Sequence, residues 1–431
     1  MDNKLKILLL VAEPLRCDDG GGNTAINFFN GMDAEFAQIY TSELLPQNDF
    51  CSKYYRITDS EVIRNFFSRK PVGKMLTESD FKPQEAEEPQ NGGKSFFNTI
   101  KTLRLNCFLT AKDIIWYYSN YKTAKLEKFI EDFNPDVIYA PCYASPFQLA
   151  LTRYVKKLTG KKILTWSADD NYSLKQFSFS PFFWINRFWH RAALRKTYPY
   201  YDAFYSISEE EAHEIEPVVG QKIGILRKGI DLTDFEKPKS SVNSPIKMIY
   251  AGGIYIQRWK TLEKIGKAIK EINVGGKKMQ LDVYTQNTPT KKQFSALNDG
   301  ENIFLHKAVN AATLKNLYNQ SDIALHCESF ALKNRLITRL SFSTKIVDCL
   351  SSGCAVMAVA HKSQAGLKYL RQNDAAICIT NLKNIKTELE KLANNPNLIL
   401  EYSKKASVCG IANHNKQKIQ EQLFTELKKL V

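Results

Sequence analysis

One segment of the chain, residues 343–360, constrains the fold more than any other. Ser343 is a good helix N-cap, Gly353 suits the left-handed position after a helix, and residues 355–360 form the apolar run Ala-Val-Met-Ala-Val-Ala. A continuous apolar run of this length is typical of a parallel strand that is covered on both faces. The segment therefore predicts a short helix, a glycine stop and a buried strand, which together are half of an α/β unit.

The start of this predicted helix carries groups that attract anions. The first backbone N–H groups of a helix have no partner within the helix, and Lys345 adds a positive charge in the first turn. Asp348 follows three residues later on the same face. A phosphate and a sugar diol would both find partners there. A capped core helix of some other α/β protein is the alternative.

Residues 343–348, Ser-Thr-Lys-Ile-Val-Asp, resemble the donor-site helix Ser/Thr-x-Lys-x-x-Glu of nucleotide-sugar-dependent glycosyltransferases with the GT-B fold, especially the family 4-like (group 1) enzymes. The resemblance implies that Lys345 binds the donor diphosphate and that Asp348, in place of the usual Glu, anchors ribose. The first glutamate of the family's paired-glutamate motif would fall at Leu340 and is absent. Glu328 is only a loose substitute for it.

The segment 246–260 extends the resemblance. It reads as an apolar strand that ends in two glycines, followed by Arg258 and Lys260 at the start of an amphipathic helix. In the family, an arginine after this strand and a lysine at the helix start bind the diphosphate. Gly253 stands in the place of that arginine, so Arg258 and Lys260 are expected to supply the charge. The resemblance thus implies the catalytic cations Arg258, Lys260 and Lys345, and the donor-binding residues Gly252, Gly253, His306 and Val309 (near the nucleobase), Ser343, Thr344 and Asp348.

The first half of the chain is expected to supply the acceptor side. A strand within residues 5–12 leads into a glycine triplet, Gly20–Gly22, which in the family faces the cleft; a plain flexible turn is the alternative. A second strand, residues 162–166, runs into a pair of aspartates, and ligands of open α/β sheets bind at such strand ends. A helix N-cap could account for one of the aspartates. The predicted acceptor-binding residues are Gly21, Gly22, Asp169 and Asp170.

A chain of 431 residues exceeds what one hydrophobic core usually serves. The resemblance implies an α/β protein of the GT-B fold, with two Rossmann-like α/β/α domains whose parallel sheets face each other across a cleft. We predict an acceptor-binding domain over 1–230, a linker over 231–245, a donor-binding domain over 246–405, and a C-terminal helix over 406–431 that packs back on the first domain. The acidic stretch 77–93 predicts a mobile insertion.

Charge is distributed unevenly along the chain. Residues 1–230 carry 30 Lys+Arg and 28 Asp+Glu, so the remaining 201 residues hold 30 and 17, and most of the net +15 belongs to the predicted donor half. A basic field concentrates anionic ligands such as nucleoside diphosphates, and it also favours anionic lipid headgroups. The sequence contains no zinc-finger or RRM-type motif, so a nucleic-acid partner is not predicted.

The nine cysteines form no C-x-x-C pair, which favours free thiols in a reducing compartment. The chain has no apolar run of about 18 residues and no signal peptide pattern at Met1, so a cytoplasmic protein is predicted. Arg187, Arg191 and Arg195 recur every four residues on an aromatic helix, a composition found in membrane-surface helices. That stripe suggests contact with an anionic membrane, although packing on the sheet with the arginines in solvent is the favoured alternative.

These expectations combine into one function. The sequence predicts a metal-independent glycosyltransferase that moves a sugar from a nucleoside-diphosphate sugar to a glycan or lipid-linked acceptor in surface polysaccharide synthesis. Retention of configuration is implied by resemblance alone, and no cofactor beyond the donor co-substrate is expected. The alternatives are a GT-B sugar-nucleotide epimerase or phosphorylase, and a non-catalytic basic binding protein for lipid or nucleic acid.

Overall fold

The computed structural model describes residues 4–17, 20–81 and 106–431, and within them only the backbone of Gly20 and of 106–109. From residue 82 onward, the predicted insertion 77–93 lies outside the described residues. Short 3₁₀ turns occur at Glu78–Phe81, Tyr198–Tyr200, Leu232–Asp234 and Leu382–Asn384.

The first part of the chain builds an open, mostly parallel sheet. Its described strands are β1 Leu5–Leu10, β2 Ala34–Tyr40, β3 Lys53–Arg56, β4 Lys74–Met75, β5 Val137–Tyr139, β6 Lys162–Ser167, β7 Ala203–Ser206 and β8 Ile223–Ile225. They lie in the order β4-β3-β2-β1-β5-β6-β7-β8, and only the edge pair β3–β4 is antiparallel. The chain reverses its direction of strand addition beside β1, which places a ligand crevice at the carboxyl ends of β1 and β5.

Helices cover both faces of this sheet. The described helices are α1 Gly20–Phe29, α2 Asp59–Asn65, α3 Asn106–Tyr117, α4 Ala124–Phe133, α5 Pro146–Thr159, α6 Pro181–Thr197 and α7 Glu209–Val219. Helix α4 illustrates how the sequence determines where these helices begin and which face they bury. The Thr123 side chain caps the helix by accepting from the Leu126 N–H, and Leu126, Phe129, Ile130 and Phe133 are buried on one face. Each of these side chains contributes about 1.5–3 kcal/mol by leaving water.

The second part of the chain repeats the architecture. Its described strands are β9 Ile246–Ala251, β10 Met279–Thr285, β11 Ile303–Lys307, β12 Ile323–Cys327, β13 Ala355–Val359 and β14 Ile377–Ile379, in the all-parallel order β11-β10-β9-β12-β13-β14. The helices are α8 Arg258–Ile272, α9 Lys291–Leu297, α10 Ala311–Asn319, α11 Leu332–Ile337, α12 Thr344–Ser351, α13 Ala365–Gln372, α14 Ile385–Asn394, α15 Asn397–Asn413 and α16 Lys416–Lys429.

The segment 343–360 folds as its sequence predicts. Helix α12 begins after Ser343, Gly353 has a φ of +71°, and every residue of β13 is fully buried between β12 and β14. Ser343 occupies the N-cap position, but its side chain makes no capping hydrogen bond.

The two domains are joined at two points that lie side by side. Ile230 and Asn415 form an isolated parallel bridge, with hydrogen bonds from Ile230 N–H to the His414 carbonyl and from Lys416 N–H to the Ile230 carbonyl. Beyond this crossing, α16 packs on the first domain, where Leu423 and Leu427 are buried in the core around β1. The C-terminal helix therefore returns to the first domain, as predicted.

Two local expectations differ from the structure. The glycine triplet Gly20–Gly22 forms the first turn of α1 instead of a loop before it. The predicted single helix over 406–431 is instead parts of two helices, because the chain leaves helical geometry at the buried His414. Residues 406–413 belong to α15, which packs on α12 and β13 in the second domain.

The eight cysteines whose side chains are described are all free thiols.

Candidate functional site

A cavity of about 720 Å³ lies between the domains, at the carboxyl ends of the central strands of both sheets. The first domain contributes residues that follow β1, β5 and β6, and the second contributes residues that follow β9 and β12, with the start of α12. Its polar lining residues include Glu13, Tyr143, Asp169, Arg258, His326, Glu328, Thr338, Ser341, Ser343, Thr344, Lys345 and Gln364.

A second cavity of about 400 Å³ adjoins the first, and Asn23 and Lys228 of the first domain form one side of it. Its other walls come mainly from the ends of β9, β10 and β11 and from α12: Ala251, Gly252, Gly253, Tyr284, Thr285, Gln286, Asn287, Ala308, Val309, Thr344, Lys345 and Asp348. Thr344, Lys345 and Tyr255 line both cavities. The two spaces therefore meet at the first turn of α12.

Lys345 stands at this junction as a cation without a carboxylate partner among the described residues. The neighbouring carboxylates are already paired, Glu328 with Arg258 and Asp348 with Lys228. Burial, and secondarily the charge of Arg258, lowers the pKa of Lys345 below its ordinary value. A half-buried ammonium that protein groups do not neutralise is a site for an anion.

Gly252 makes room for this ammonium. A methyl group added to Gly252 would overlap the Cε and Nζ atoms of Lys345. We expect Gly252→Ala to move the flexible end of Lys345 out of place, while the backbone of β9 is preserved. If the anion at Lys345 is the diphosphate that the sequence resemblance implies, the variant should bind nucleoside diphosphates roughly tenfold more weakly, equivalent to about 1.4 kcal/mol, with little change in melting temperature. Titration calorimetry and thermal unfolding check this; unchanged affinity would contradict the positioning of Lys345 by Gly252.

Arg258 is present in the cleft, but it is held by Glu328. Its Nε and Nη2 donate to the two carboxylate oxygens of Glu328 at 2.9 and 2.8 Å, and both side chains are buried. Glu328 thus orients the guanidinium at the start of α8. Lys260, the other cation predicted near the diphosphate, is exposed and lines neither cavity; its ammonium lies 5.7 Å from the ring centroid of Trp259. The structure therefore does not place Lys260 in the site.

Of the remaining residues predicted on the donor side, some line the smaller cavity and others do not. Gly253 and Val309 line the smaller cavity, whereas His306 does not, because its ring stacks on Tyr284 and bonds Asp282 at 2.8 Å. Asp348 lines the same cavity, and Lys228 of the first domain reaches it at 3.3 Å. A ribose bound by Asp348 would therefore meet Lys228 as well.

On the acceptor side, Gly21 and Gly22 of α1 lie against the loop that follows β1. An added methyl group at Gly21 would overlap the Glu13 carboxylate, and one at Gly22 would overlap the backbone of Pro14 and Arg16. Close approach of the loop after β1 therefore requires both glycines. Gly21 lines the cleft cavity, and Gly22 is not among its lining residues.

Asp169 faces the cleft and accepts from Ser341 Oγ of the second domain at 2.6 Å. Desolvation by the surrounding protein, with a smaller contribution from the charge of Asp170, raises the pKa of Asp169 above its usual range. A raised pKa makes this carboxylate a stronger base than an ordinary aspartate.

Asp170 has a different role from the one predicted. Its carboxylate is almost fully buried and accepts from Arg187 at 2.8 Å and from Arg339, in the second domain, at 3.0 Å. Ser173 N–H donates at 2.8 Å, and Arg339 also pairs with Glu214. We call Asp170, Arg187, Arg339, Glu214 and Ser173 the interdomain charge cluster. Its contacts hold the domains together and leave Asp170 no free oxygen for an acceptor.

The arginine stripe of α6 contacts the loop after β6, with Arg187 buried and Arg195 exposed. The expectation that the arginines lie in solvent is therefore wrong for Arg187, and contact with an anionic membrane stays a prediction. Arg187 pairs with Asp170, Arg191 donates to the Tyr172 carbonyl, and Arg195 donates to the Tyr172 hydroxyl. The helix uses this face to hold the loop after β6. None of the described helices is both long and apolar enough to span a bilayer.

A further chamber of about 790 Å³ in the first domain shares Glu13 and Tyr143 with the cleft cavity. The Tyr143 hydroxyl donates to Glu13 Oε2 at 3.2 Å. Hydrogen-bonding side chains line the chamber, among them Asp59, Asp113, Gln148 and His190. The chamber is therefore a neighbour of the cleft cavity, with Glu13 and Tyr143 in the walls of both.

Solved structures are similar to this chain over nearly its whole length. A sucrose-phosphate synthase from Thermosynechococcus elongatus has a TM-score of 0.63 at 11% identity, covering 99% of each chain. A glycosyltransferase from Rickettsia africae has a TM-score of 0.58 at 12% identity, covering 99% of each chain. Anabaena HepE, in complex with UDP and glucose, has a TM-score of 0.60 at 11% identity, covering 99% of this chain and 100% of HepE. The protein has the GT-B fold. Searches against protein-family models and curated protein sequences found no match.

In this GT-B fold, some cleft residues went unrecognised in the sequence. Glu13 follows β1 directly, so the rule that ligands bind at carboxyl ends of strands could have identified it. Tyr143 follows β5 in the same way. Gln364 and His326 carried no local signal, because only the packing of α13 beside β12 brings them to the cleft.

Proposed function

We propose that this protein is a glycosyltransferase that uses a nucleoside-diphosphate sugar. The observation that carries the proposal is Lys345, an unneutralised cation at the point where a cavity of about 400 Å³ meets a cleft of about 720 Å³. A nucleoside fits the smaller space beside Val309, a diphosphate fits the junction, and a sugar fits the cleft. HepE, of the same fold, was solved with UDP-glucose bound.

The chemistry follows from charge development. Breaking the bond between the anomeric carbon and the diphosphate oxygen leaves negative charge on the departing diphosphate. Lys345 and the free N–H groups at the start of α12 stabilise that charge, and Arg258, fixed by Glu328, adds a second cation nearby. Asp348 would bind the ribose hydroxyls as an acceptor of hydrogen bonds.

The acceptor would approach from the first domain. Asp169 and Glu13 both present carboxylates to the cleft, and either can orient an acceptor hydroxyl and take its proton. We place a glycan or lipid-linked acceptor in the neighbouring chamber, with its reacting hydroxyl near Glu13 and Tyr143, which line both spaces. Retention of configuration and a role in surface polysaccharide synthesis complete the proposal, on the basis of the resemblance alone.

The proposal is tested by binding and turnover. Purified protein is screened by thermal shift against UDP, GDP and ADP and their sugars, and the best donor is incubated with glycan acceptors while nucleoside diphosphate release is measured. Ligand-dependent stabilisation and acceptor-dependent release would support a transferase. A converted donor in the absence of acceptor would indicate an epimerase, and no stabilisation by any nucleotide would contradict the proposal.

We also predict that transfer is independent of a metal ion, because Lys345, Arg258 and the α12 N–H groups can compensate the diphosphate charge. Turnover with excess EDTA should stay within about twofold of the untreated rate. Loss of activity on chelation, followed by recovery on addition of Mg²⁺ or Mn²⁺, would overturn this part of the mechanism.

A further inference from the structure

Gln364, at the N-cap of α13, lines the cleft cavity and carries a buried polar atom that has no hydrogen-bond partner among the described residues. The side chain is 2% exposed, and its Nε2 donates to Thr338 Oγ1 at 2.7 Å. Its Oε1 is buried and accepts no hydrogen bond from any described residue.

Thr338 fixes the orientation of this amide. The Thr338 hydroxyl donates its single hydrogen to the Asn334 carbonyl at 3.1 Å, so toward Gln364 it can only accept. Gln364 must therefore turn its NH₂ group to Thr338, which leaves Oε1 as the atom without a protein partner. A buried acceptor that stays unsatisfied costs about 1–3 kcal/mol. Its presence in a cleft points to a hydrogen-bond donor on a ligand.

His326 lies on the same wall. It is 4% exposed and lines the cavity, and a methyl group placed on Gly366 would lie 3.8 Å from its Nε2. Burial lowers the pKa of His326 to about 4, so the ring is neutral near pH 7. A neutral imidazole offers one N–H donor and one acceptor nitrogen. A sugar hydroxyl both donates and accepts hydrogen bonds, so the Gln364 oxygen and the two ring nitrogens of His326 offer it complementary partners.

We propose that Gln364 Oε1 accepts a hydrogen bond from a hydroxyl of the transferred sugar, with His326 completing the sugar-binding wall. This inference rests on the proposed function, because it places the sugar next to a diphosphate held by Lys345. It also accounts for Leu340, which is buried and apolar where the resemblance would place a sugar-binding glutamate. Gln364 supplies the acceptor oxygen from another element, the loop that leads into α13.

The test compares a nucleoside diphosphate with its sugar conjugate. UDP, GDP and ADP and the matching UDP-glucose, GDP-mannose and ADP-glucose are titrated by calorimetry into wild type and Gln364→Met. We expect the variant to bind the sugar nucleotide roughly tenfold more weakly, equivalent to about 1.4 kcal/mol, and the free diphosphate as wild type does. Gln372→Met, an exposed position on the same helix, is the matched control and should bind both ligands normally.

Thr338→Val provides a second variant, because it removes the group that orients the amide. It should weaken sugar-nucleotide binding in the same selective way, and it carries the test if Gln364→Met does not fold. Equal loss for diphosphate and sugar nucleotide, or no loss for either, would overturn the role of Gln364. Wild type that binds no nucleoside diphosphate would instead overturn the proposed function, and this inference with it.

Discussion

Lys345→Ala should lower turnover by roughly 10²–10³-fold, the loss typical when one preorganised group that stabilises developing negative charge is removed. The reason is position: the ammonium lies where the two cavities meet, and no described carboxylate neutralises it. The loss should fall mainly on kcat, because the charge on the diphosphate grows as the sugar bond breaks. Steady-state rates of nucleoside diphosphate release measure the effect.

Lys264→Ala, which removes an exposed lysine of α8, is the matched control and should turn over as wild type does. Lys260→Ala should behave like this control, because Lys260 lines neither cavity. Thermal unfolding of all three variants separates lost chemistry from lost folding. A Lys345→Ala enzyme with a rate within twofold of wild type would contradict the assignment of the diphosphate to α12.

The largest effect on stability is expected from Asp170→Asn. The substitution keeps the shape of the side chain but leaves Arg187 and Arg339 without their shared buried carboxylate. Removing one partner of a buried ion pair costs about 3–5 kcal/mol. The free energy of unfolding, from urea titrations followed by circular dichroism, should fall by that amount.

Asp169→Asn is the comparison for this prediction, because the Asp169 carboxylate faces the cleft and accepts a single hydrogen bond from the described residues, from Ser341 Oγ. It should reduce turnover while changing the free energy of unfolding by less than about 1 kcal/mol. If Asp170→Asn instead kept wild-type stability and lost activity, Asp170 would be an acceptor-binding residue, and the interdomain charge cluster would have been misread.

These contrasts show which features the sequence could predict. Helix α12 and strand β13 were predictable because their signals are local: an N-cap residue, a glycine in the left-handed region and a continuous apolar run. Local signals also located Lys345. They could not orient α6, because a four-residue period identifies a helix face without revealing what that face contacts. The stripe lies against a loop, and one of its arginines shares a carboxylate with Arg339, which is 169 residues from Asp170.

The structure of the glycine triplet was mispredicted for a related reason. Glycine is a poor helix former, yet Gly21 and Gly22 lie in the first turn of α1 because any side chain there would collide with the loop after β1. Tertiary packing overrides propensity at this position. His306 was misplaced because the strand pattern fixes its position along β11 but not its stacking on Tyr284.

A crystal structure of the protein with the nucleotide sugar that gives the largest thermal shift tests the proposed donor site most directly. We expect electron density for the base beside Val309, for the diphosphate within hydrogen-bonding distance of Lys345 Nζ, and for the sugar in the cleft toward Gln364. Density for the diphosphate away from α12, with Lys345 facing solvent, would contradict binding of the donor at this helix.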